Sequence, residues 1–371
     1  MEGYIPRSIA PTVEYAAKYY PVILISGARQ VGKSTLCRHL FPEYNYVNLE
    51  DNPTLIKAQT EPKDFIKSLG TKVIIDEVQK CEGIFSQIQV EVDNDPNLQF
   101  ILTGSSDFLL MKNASQSLAG RIALFTLPPL TFKELSPELK DITTEDLFFR
   151  GFYPSVVTNK RPAEIFYRNY YSTYIEKDIR RQLKIENLSK FDIFIRLMAS
   201  RVGSEFNATS LSNEVGVSSN TISEWTSILE ASYIIYPLRP FFSNISKRLS
   251  KMPKYYFYDT GLVSFLLGIE NPSQLISHPL KGALFENMAV SELINRRLNE
   301  GKDVNFNFYR ERNGREVDVL QNTPLGLNAY EIKSSKSYHP EFQKNLDYLK
   351  KLLGSQIISS ILPVAVNIRD L

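Results

Sequence analysis

Short apolar runs alternate with helical patterns over the first third of the chain. Four of these runs have the continuous apolar character of strands buried on both faces: PVILISG (21–27), YNYVNLE (44–50), KVIIDEV (72–78) and QFILTGS (99–105). Apolar runs separated by helical segments are typical of βαβ units. The pattern therefore predicts an α/β fold with a parallel sheet between residues 21 and about 127.

The pattern changes after the Pro128-Pro129 pair. Helical segments continue to about residue 184 and include an aromatic-rich stretch at 165–183. Three more helices are predicted at 191–203, 211–216 and 218–232, followed by a strand at 233–242. Beyond Asp259 we expect a long helix, then short strands, another helix and a last strand: 282–298, 304–310, 315–320, 327–335, about 340–353 and 357–366. The predicted domains are 1–184, 185–258 and 259–371.

Composition places few limits on function. The chain has 371 residues, of which 43% are hydrophobic and 23% charged, and a net charge of +2. It is too long for one compact core, and any contact with nucleic acid would need local basic patches. Cys37 and Cys81 have no metal or redox spacing, which fits a reducing cytosol. No apolar run approaches the roughly 20 residues of a membrane helix, so we expect a cytoplasmic protein without a membrane partner.

Residues 27–34 fit the Walker A pattern G-x-x-x-x-G-K-[ST], between a predicted strand and a predicted helix. The glycines let backbone N–H groups face a phosphate, and the helix N-terminus adds partial positive charge. Lys33 would bridge the β- and γ-phosphates, and the Ser34 hydroxyl would ligate Mg²⁺. A chance glycine-rich turn is the alternative. The residues predicted to bind the nucleotide are Gly27, Ala28, Arg29, Gln30, Val31, Gly32, Lys33, Ser34 and Thr35.

Catalytic candidates follow the next strands. Asp76, at the end of a buried strand, is predicted to hold Mg²⁺ through water, and Glu77 to act as general base. Ser105 follows another strand and would sense the γ-phosphate or orient the attacking water; a simple polar turn is the alternative. Arg121 would reach a γ-phosphate in its own chain or in a neighbouring subunit, or else form a structural ion pair.

The three central helices have helix-turn-helix character, and the strand after them suggests a winged helix. The candidate recognition helix, 218–229, has no Lys or Arg. The following segment instead interleaves basic and aromatic residues that would contact phosphates and bases. A solvated loop or a protein-contact surface is the alternative. These residues are Arg239, Phe241, Phe242, Lys247, Arg248, Lys251, Lys254, Tyr255 and Tyr256.

Near the C-terminus, Asp318 precedes Glu331-Ile332-Lys333 by thirteen residues. This is the D…(D/E)-x-K spacing of restriction-endonuclease-like folds. In that arrangement Asp318 and Glu331 would share a divalent metal, Lys333 would support the attacking water, and Glu286 would add an acidic ligand. An exposed strand with a salt bridge is the alternative.

These motifs, in this order, resemble a family of prokaryotic AAA-type ATPases. The resemblance implies an α/β P-loop NTPase domain of the AAA type, then a winged helix and a restriction-endonuclease-like, PD-(D/E)xK, domain. It implies ATP binding, leaves nuclease activity open, and matches Arg121 to an arginine of the family. The segments that carry it are GARQVGKSTL (27–36), VIIDEVQ (73–79), ILTGSSDFLL (101–110), LAGRIALFTLPPLTFKEL (118–135), YDTGLVSFLLG (258–268), LFENMAVSELI (284–294), REVDVL (315–320) and YEIKSS (330–335).

Three functions fit these motifs. The first is a Mg²⁺-dependent ATP-hydrolysing switch or motor whose C-terminal half engages DNA. The second is an ATP-gated module that binds a protein partner through non-catalytic C-terminal domains. The third is a nuclease licensed by ATP, with a second divalent metal at the C-terminal carboxylates. AAA-type domains often form rings, so a homo-oligomer is compatible with each function.

Overall fold

The computed structural model divides the chain into two compact units. The first consists of Met1–Leu130, Ala231–Tyr233 and Arg297–Lys302, and the second contains the remaining segments. No helix in the described part of the chain is long and apolar enough to cross a lipid bilayer. The two boundaries between the three predicted domains stay a prediction. The structure describes residues 4–105, 117–135, 142–158, 160–179, 188–241, 252–311, 314–335 and 339–361.

The first unit is built on a five-stranded sheet with the order β2-β3-β4-β1-β5, in which every pairing is parallel. The predicted parallel α/β architecture is therefore confirmed, and β5 is a strand that the sequence pattern did not predict. The elements are α1 (Ala10–Ala16), β1 (Val22–Gly27), α2 (Lys33–Leu40), β2 (Asn45–Asn48), α3 (Asn52–Thr60), α4 (Pro62–Ser68), β3 (Lys72–Asp76), α5 (Ile84–Asn94), β4 (Gln99–Ser105) and β5 (Ile122–Thr126).

Burial on both faces explains the continuous apolar runs of the central strands. All six residues of β1 are buried, and so are the last six of β4. Leu24, Ile75 and Leu102 share one hydrophobic cluster with Phe85 and Ile88 of α5. Because all these strands run in the same direction, their carboxyl ends meet at one edge of the sheet.

The second unit contains a mixed six-stranded sheet with the order β11-β10-β9-β8-β6-β7. A π-helical segment, Tyr171–Ile179, continues α8. The elements that begin in this unit are α6 (Thr144–Arg150), α7 (Pro154–Val157), α8 (Ala163–Tyr170), α9 (Leu188–Ser200), α10 (Ala208–Val215), α11 (Ser219–Ala231), β6 (Ile235–Pro240), β7 (Lys254–Phe257), α12 (Thr260–Leu266), α13 (Lys281–Asn299), β8 (Phe306–Arg310), β9 (Glu316–Thr323), β10 (Gly326–Tyr330), α14 (Lys344–Leu353) and β11 (Ile357–Ile361).

The three central helices lie where the apolar pattern predicts them, as α9, α10 and α11. The strand β7 was not predicted. It pairs antiparallel with β6, and β6 in turn pairs parallel with β8. The two strands after the helices are therefore part of the same sheet as β8 to β11, and the sheet extends across the predicted boundary at residue 258.

The aromatic-rich segment after residue 160 packs inward. Tyr153, Phe166, Tyr167 and Tyr170 form a cluster with ring centroids 5.0 to 6.2 Å apart. The Tyr153 hydroxyl donates to the Tyr170 hydroxyl at 2.9 Å. These aromatic side chains therefore belong to the core of the second unit.

Asp259 anchors α12 to the segment that follows α6. Its carboxylate accepts hydrogen bonds from the backbone N–H groups of Phe152 (2.6 Å) and Leu262 (2.9 Å), the latter as the N-cap of α12. Burial raises the pKa of this carboxyl, and the hydrogen bonds oppose the rise. At Gly261 a Cβ would stand 2.3 Å from the Tyr167 hydroxyl oxygen, so only glycine fits. The motif at 258–268 is thus explained by packing.

Candidate functional site

The loop at 27–34 leaves β1 through a glycine that cannot be replaced without a clash. Gly27 has φ +144°, and a Cβ there would lie 2.3 Å from the carbonyl oxygen of Leu127. Gly32 caps α2 in the left-handed conformation, with φ +96°. Both glycines of the pattern are therefore required by the backbone, and the loop ends at the amino end of α2, where anions are favoured.

Lys33 is the buried cation of this loop. Only 6% of the Lys33 surface is exposed. The Nζ atom donates to the carbonyl oxygens of Gly27 at 3.0 Å and Ala28 at 2.9 Å. Burial lowers the pKa of Lys33 to about 8, although the nearby carboxylates of Glu77 and Asp76 favour the charged form.

Asp76, the last residue of β3, is held from both neighbouring strands. One carboxylate oxygen accepts a hydrogen bond from the Tyr46 hydroxyl on β2 at 2.6 Å, and the other accepts from the Thr103 hydroxyl on β4. The Ser34 hydroxyl lies in the first turn of α2. A carboxylate and a hydroxyl are hard oxygen ligands of the kind that Mg²⁺ prefers, so the residues present suit that ion.

Glu77 and Ser105 contact each other at the same sheet edge. The Ser105 hydroxyl donates to Glu77 Oε2 at 3.1 Å. A third side chain joins them: Gln79 Nε2 donates to Glu77 Oε2 at 2.5 Å and to Ser105 Oγ at 3.0 Å. The structure thus brings the two predicted catalytic residues together and adds a glutamine.

The C-terminal candidates also meet. Lys333 Nζ lies 2.8 Å from Glu331 Oε1 and 3.6 Å from Asp318 Oδ2. Strand β10 ends at Tyr330, directly before Glu331, so the observed strand is shorter than the strand predicted at 327–335. Glu286 of α13 accepts from the Tyr256 hydroxyl at 2.5 Å. Its negative charge also acts on Asp318.

Burial and neighbouring charges together shift the pKa values of Asp318, Glu331 and Lys333 in this cluster. Burial, followed by the charges of Glu286 and Glu331, raises the pKa of Asp318 well above its usual range. Burial also raises the pKa of Glu331, against the favourable charge of Lys333. Burial alone would lower the pKa of Lys333. The negative charges of Asp318 and Glu331 outweigh this effect, so the pKa of Lys333 is raised.

The donor set for a second metal is incomplete. Glu331 Oε2 is buried and has no hydrogen-bond partner within the described ranges, so it could accept a bond from a ligand. However, the Lys333 ammonium contacts both Asp318 and Glu331. Among the residues that the structure describes, no group of three or more His, Cys, Asp or Glu side chains is arranged to hold a metal ion.

Part of the predicted nucleic-acid surface is buried. Lys254, Tyr255 and Tyr256 lie in β7 and are at most 8% exposed. Lys254 is paired with Glu286 (3.3 Å) and Glu316. The prediction that these three side chains contact phosphates or bases was therefore wrong, because the pattern concealed a strand. Arg239 is exposed, while Phe242, Lys247, Arg248 and Lys251 lie outside the described residues.

Comparison with protein families matches each part of the chain separately. A model described as an AAA domain matches residues 19–136. Residues 19–136 are an AAA-type ATPase domain. Two models described as domains of unknown function, DUF8612 and DUF4143, match residues 142–273 and 281–367. The ATPase domain thus precedes two matched regions whose family descriptions name no activity.

Similar proteins occur in bacteria and archaea. An uncharacterised protein of Mycobacterium tuberculosis is 29% identical over 294 residues, which cover 77% of this chain and 65% of that protein. The match therefore spans less than two thirds of that relative. An uncharacterised protein of Methanocaldococcus jannaschii is 24% identical over 84% of this chain and 75% of its own length.

Among solved structures, a Walker-type ATPase of Pyrococcus abyssi is 17% identical. The alignment covers 70% of this chain and 94% of that one, with a TM-score of 0.48. The ATPase domain is identified by the family match and by the geometry of the loop at 27–34.

Arg121 lies away from the nucleotide loop of the ATPase domain. Its carbonyl accepts from the Val22 N–H, at the start of β1, whereas the loop follows the end of that strand. Its guanidinium forms a bidentate ion pair with Asp93, with one contact at 2.9 Å. From this position Arg121 would not contact a triphosphate bound to the loop of its own chain. The alternative prediction, a structural ion pair, fits the observed contact with Asp93. A role in a neighbouring subunit stays a prediction.

Four residues of the first unit had no role assigned from the sequence: Tyr46, Thr103, Gln79 and Arg7. The buried Arg7 guanidinium donates to the carbonyl oxygens of Val31 at 2.8 Å and Pro128 at 2.7 Å, and so braces the nucleotide loop. No sequence pattern marks Arg7 or Tyr46. Gln79 and Thr103 lie inside recognised segments but carried no assigned role.

The lowered pKa of Lys33 predicts that nucleotide binding takes up a proton. A triphosphate binds the ammonium form, and above pH 8 a growing share of free Lys33 is neutral. The apparent Kd for ATP with Mg²⁺ should therefore rise as pH increases from 7 to 9, by up to about tenfold per unit above pH 8. Calorimetric titration in two buffers of different ionisation enthalpy measures both quantities.

The exposed Lys80, also in the ATPase domain, provides the control. A Lys80→Met variant should show the same pH dependence as the wild type. Equal affinity at pH 7 and 9, with no proton uptake on binding, would contradict the assignment.

Proposed function

We propose that the protein is a Mg²⁺-dependent, ATP-hydrolysing switch or motor whose C-terminal half engages DNA. The observation that carries the proposal is the meeting of three kinds of group at one sheet edge. These are the buried ammonium of Lys33, the carboxylates of Asp76 and Glu77, and the hydroxyl of Ser105. Phosphoryl transfer needs little beyond such positioned charges.

Each residue then has a distinct task. Residues 27–35 bind the phosphates, and Lys33 places its charge beside the β- and γ-phosphates. Ser34 and Asp76 would hold Mg²⁺, which neutralises charge that develops on the phosphate oxygens. Glu77 accepts the proton of the attacking water, and Ser105 holds the Glu77 carboxylate in place.

DNA engagement is the less direct part of the proposal. The order of three helices, α9 to α11, followed by the antiparallel pair β6 and β7 supports a winged helix. The mixed sheet with α13 and the cluster of Asp318, Glu331 and Lys333 supports a restriction-endonuclease-like domain. The absence of Lys and Arg from 218–229 favours the alternative, in which these regions bind a protein.

Replacement of Glu77 by Gln separates binding from hydrolysis. The amide cannot accept a proton, so turnover should fall by about a hundredfold or more while ATP binding remains. ATP turnover is measured for the wild type and for Glu77→Gln, with and without double-stranded DNA. The matched control is Glu82→Gln, an exposed glutamate five residues along the same connection.

The DNA arm of that experiment separates the two leading functions. Stimulation of wild-type turnover by DNA, with a steep dependence on salt, is expected for a protein that engages DNA. Turnover that is unchanged by DNA at low salt would instead support the protein-interaction module. Full activity of Glu77→Gln would overturn the catalytic assignment.

A nuclease licensed by ATP is the second candidate function. The Glu331 Oε2 atom favours it, because it is buried beside Asp318 and Lys333 and has no hydrogen-bond partner in the part of the chain that the structure describes. This candidate predicts ATP-stimulated nicking of supercoiled plasmid with Mg²⁺ or Mn²⁺, lost in Asp318→Ala and retained in Asp347→Ala, whose aspartate is exposed on α14. A wild type that does not nick, or nicking that survives Asp318→Ala, excludes a nuclease at this cluster.

A further inference from the structure

We infer that Gln79 orients the attacking water in ATP hydrolysis, as a partner of Glu77. This inference rests on the proposed ATPase function and concerns a residue to which that function gave no task. Its carrying observation is the contact of the Gln79 amide with both Glu77 Oε2 (2.5 Å) and Ser105 Oγ (3.0 Å). Gln79 is thereby fixed beside the group that would accept the proton of the water.

The backbone is shaped to return Gln79 to this position. Glu77 has φ +56° and ψ +43°, a left-handed conformation that few residues other than glycine adopt. A single 3₁₀ turn, Val78–Lys80, follows directly. The reversal brings the side chain two residues later back over the Glu77 carboxylate. Backbone strain of this kind is found preferentially at functional sites.

The chemistry of the contacts fixes which way the amide faces. The Glu77 carboxylate only accepts hydrogen bonds when ionised, so the Gln79 nitrogen must face it. The amide oxygen therefore points elsewhere. Gln79 Oε1 is buried and has no hydrogen-bond partner among the described residues. Buried polar atoms without a partner are rare, and bound water is a common reason for one.

A water placed there would meet two acceptors. One of its hydrogens would point to Glu77 and the other to Gln79 Oε1, which leaves a lone pair of the oxygen free for the γ-phosphorus. As the new P–O bond forms, the bond from the γ-phosphorus to the β–γ bridging oxygen breaks, and ADP leaves with that electron pair. Glu77 takes the proton of the water. The neutral amide of Gln79 takes none, so its contribution is orientation.

The competing explanation is that Gln79 only stabilises the turn at 78–80. A second glutamine near the same turn allows these two roles, orienting the water and stabilising the turn, to be distinguished. Gln59 of α3 donates to the carbonyl oxygen of Lys80 at 3.2 Å, so it contacts the same turn but not Glu77. It is exposed. Gln59→Leu is therefore the matched control for Gln79→Leu.

The experiment measures ATP turnover, the Kd for a fluorescent ATP analogue with Mg²⁺, and the thermal unfolding midpoint for both variants and the wild type. Gln79→Leu should lower kcat by about tenfold or more, because the water loses one of its two acceptors. Its nucleotide Kd should stay within about twofold of wild type. Gln59→Leu should leave both quantities unchanged. If Gln79→Leu does not fold, Gln79→Asn replaces it, since its shorter amide cannot span Glu77 and the water.

Each result decides one question. Wild-type hydrolysis with an unchanged kcat in Gln79→Leu overturns this inference and leaves the proposed function intact. A loss of nucleotide affinity and thermal stability in parallel with kcat assigns Gln79 to the turn, which also overturns it. A wild type without ATP turnover overturns the proposed function itself.

Discussion

The burial of a lysine ammonium is the constraint on which the nucleotide site depends. Lys33 is only 6% exposed; its ammonium donates hydrogen bonds to two backbone carbonyl oxygens, and the negative charges of Asp76 and Glu77 favour its charged form. A buried charge is costly unless partners of opposite sign or polarity surround it. Here the partners come from the loop itself and from Asp76 and Glu77. The negative oxygens of a bound triphosphate would be further partners for the Lys33 ammonium.

The parallel sheet supplies the groups that surround this ammonium. Because β1, β3 and β4 are adjacent and run in the same direction, the nucleotide loop, Asp76 and Ser105 arrive at one edge. The close approach of Gly27 to the Leu127 carbonyl then sets the exit of the loop from β1. Hydrogen bonds from Tyr46 and Thr103 hold the Asp76 carboxylate between the neighbouring strands. Fold and site are thus determined by the same strand order.

What the sequence could predict was local in the chain. The nucleotide loop and Asp76 follow from patterns whose residues are adjacent, and the parallel sheet follows from repeated apolar runs. Tyr46 was missed because its contact with Asp76 joins residues 30 positions apart. Lys254 was misplaced because β7 is only four residues long, and its basic and aromatic residues resemble those of a nucleic-acid-binding loop. For Arg121 the sequence left both a phosphate contact and a structural ion pair open, and strand pairing places it at the opposite end of β1 from the loop.

Every role proposed for this site requires that residues 27–35 bind a nucleoside triphosphate around the Lys33 ammonium. Equilibrium binding of ATP in the presence of Mg²⁺, to the wild type and to Gly27→Ala, tests it most directly. The wild type should show saturable binding with a Kd below about 1 mM. Binding should be lost in Gly27→Ala, where the new Cβ would meet the Leu127 carbonyl oxygen at 2.3 Å. If the wild type shows no saturable binding of any nucleoside triphosphate, the loop at 27–35 is not a nucleotide site.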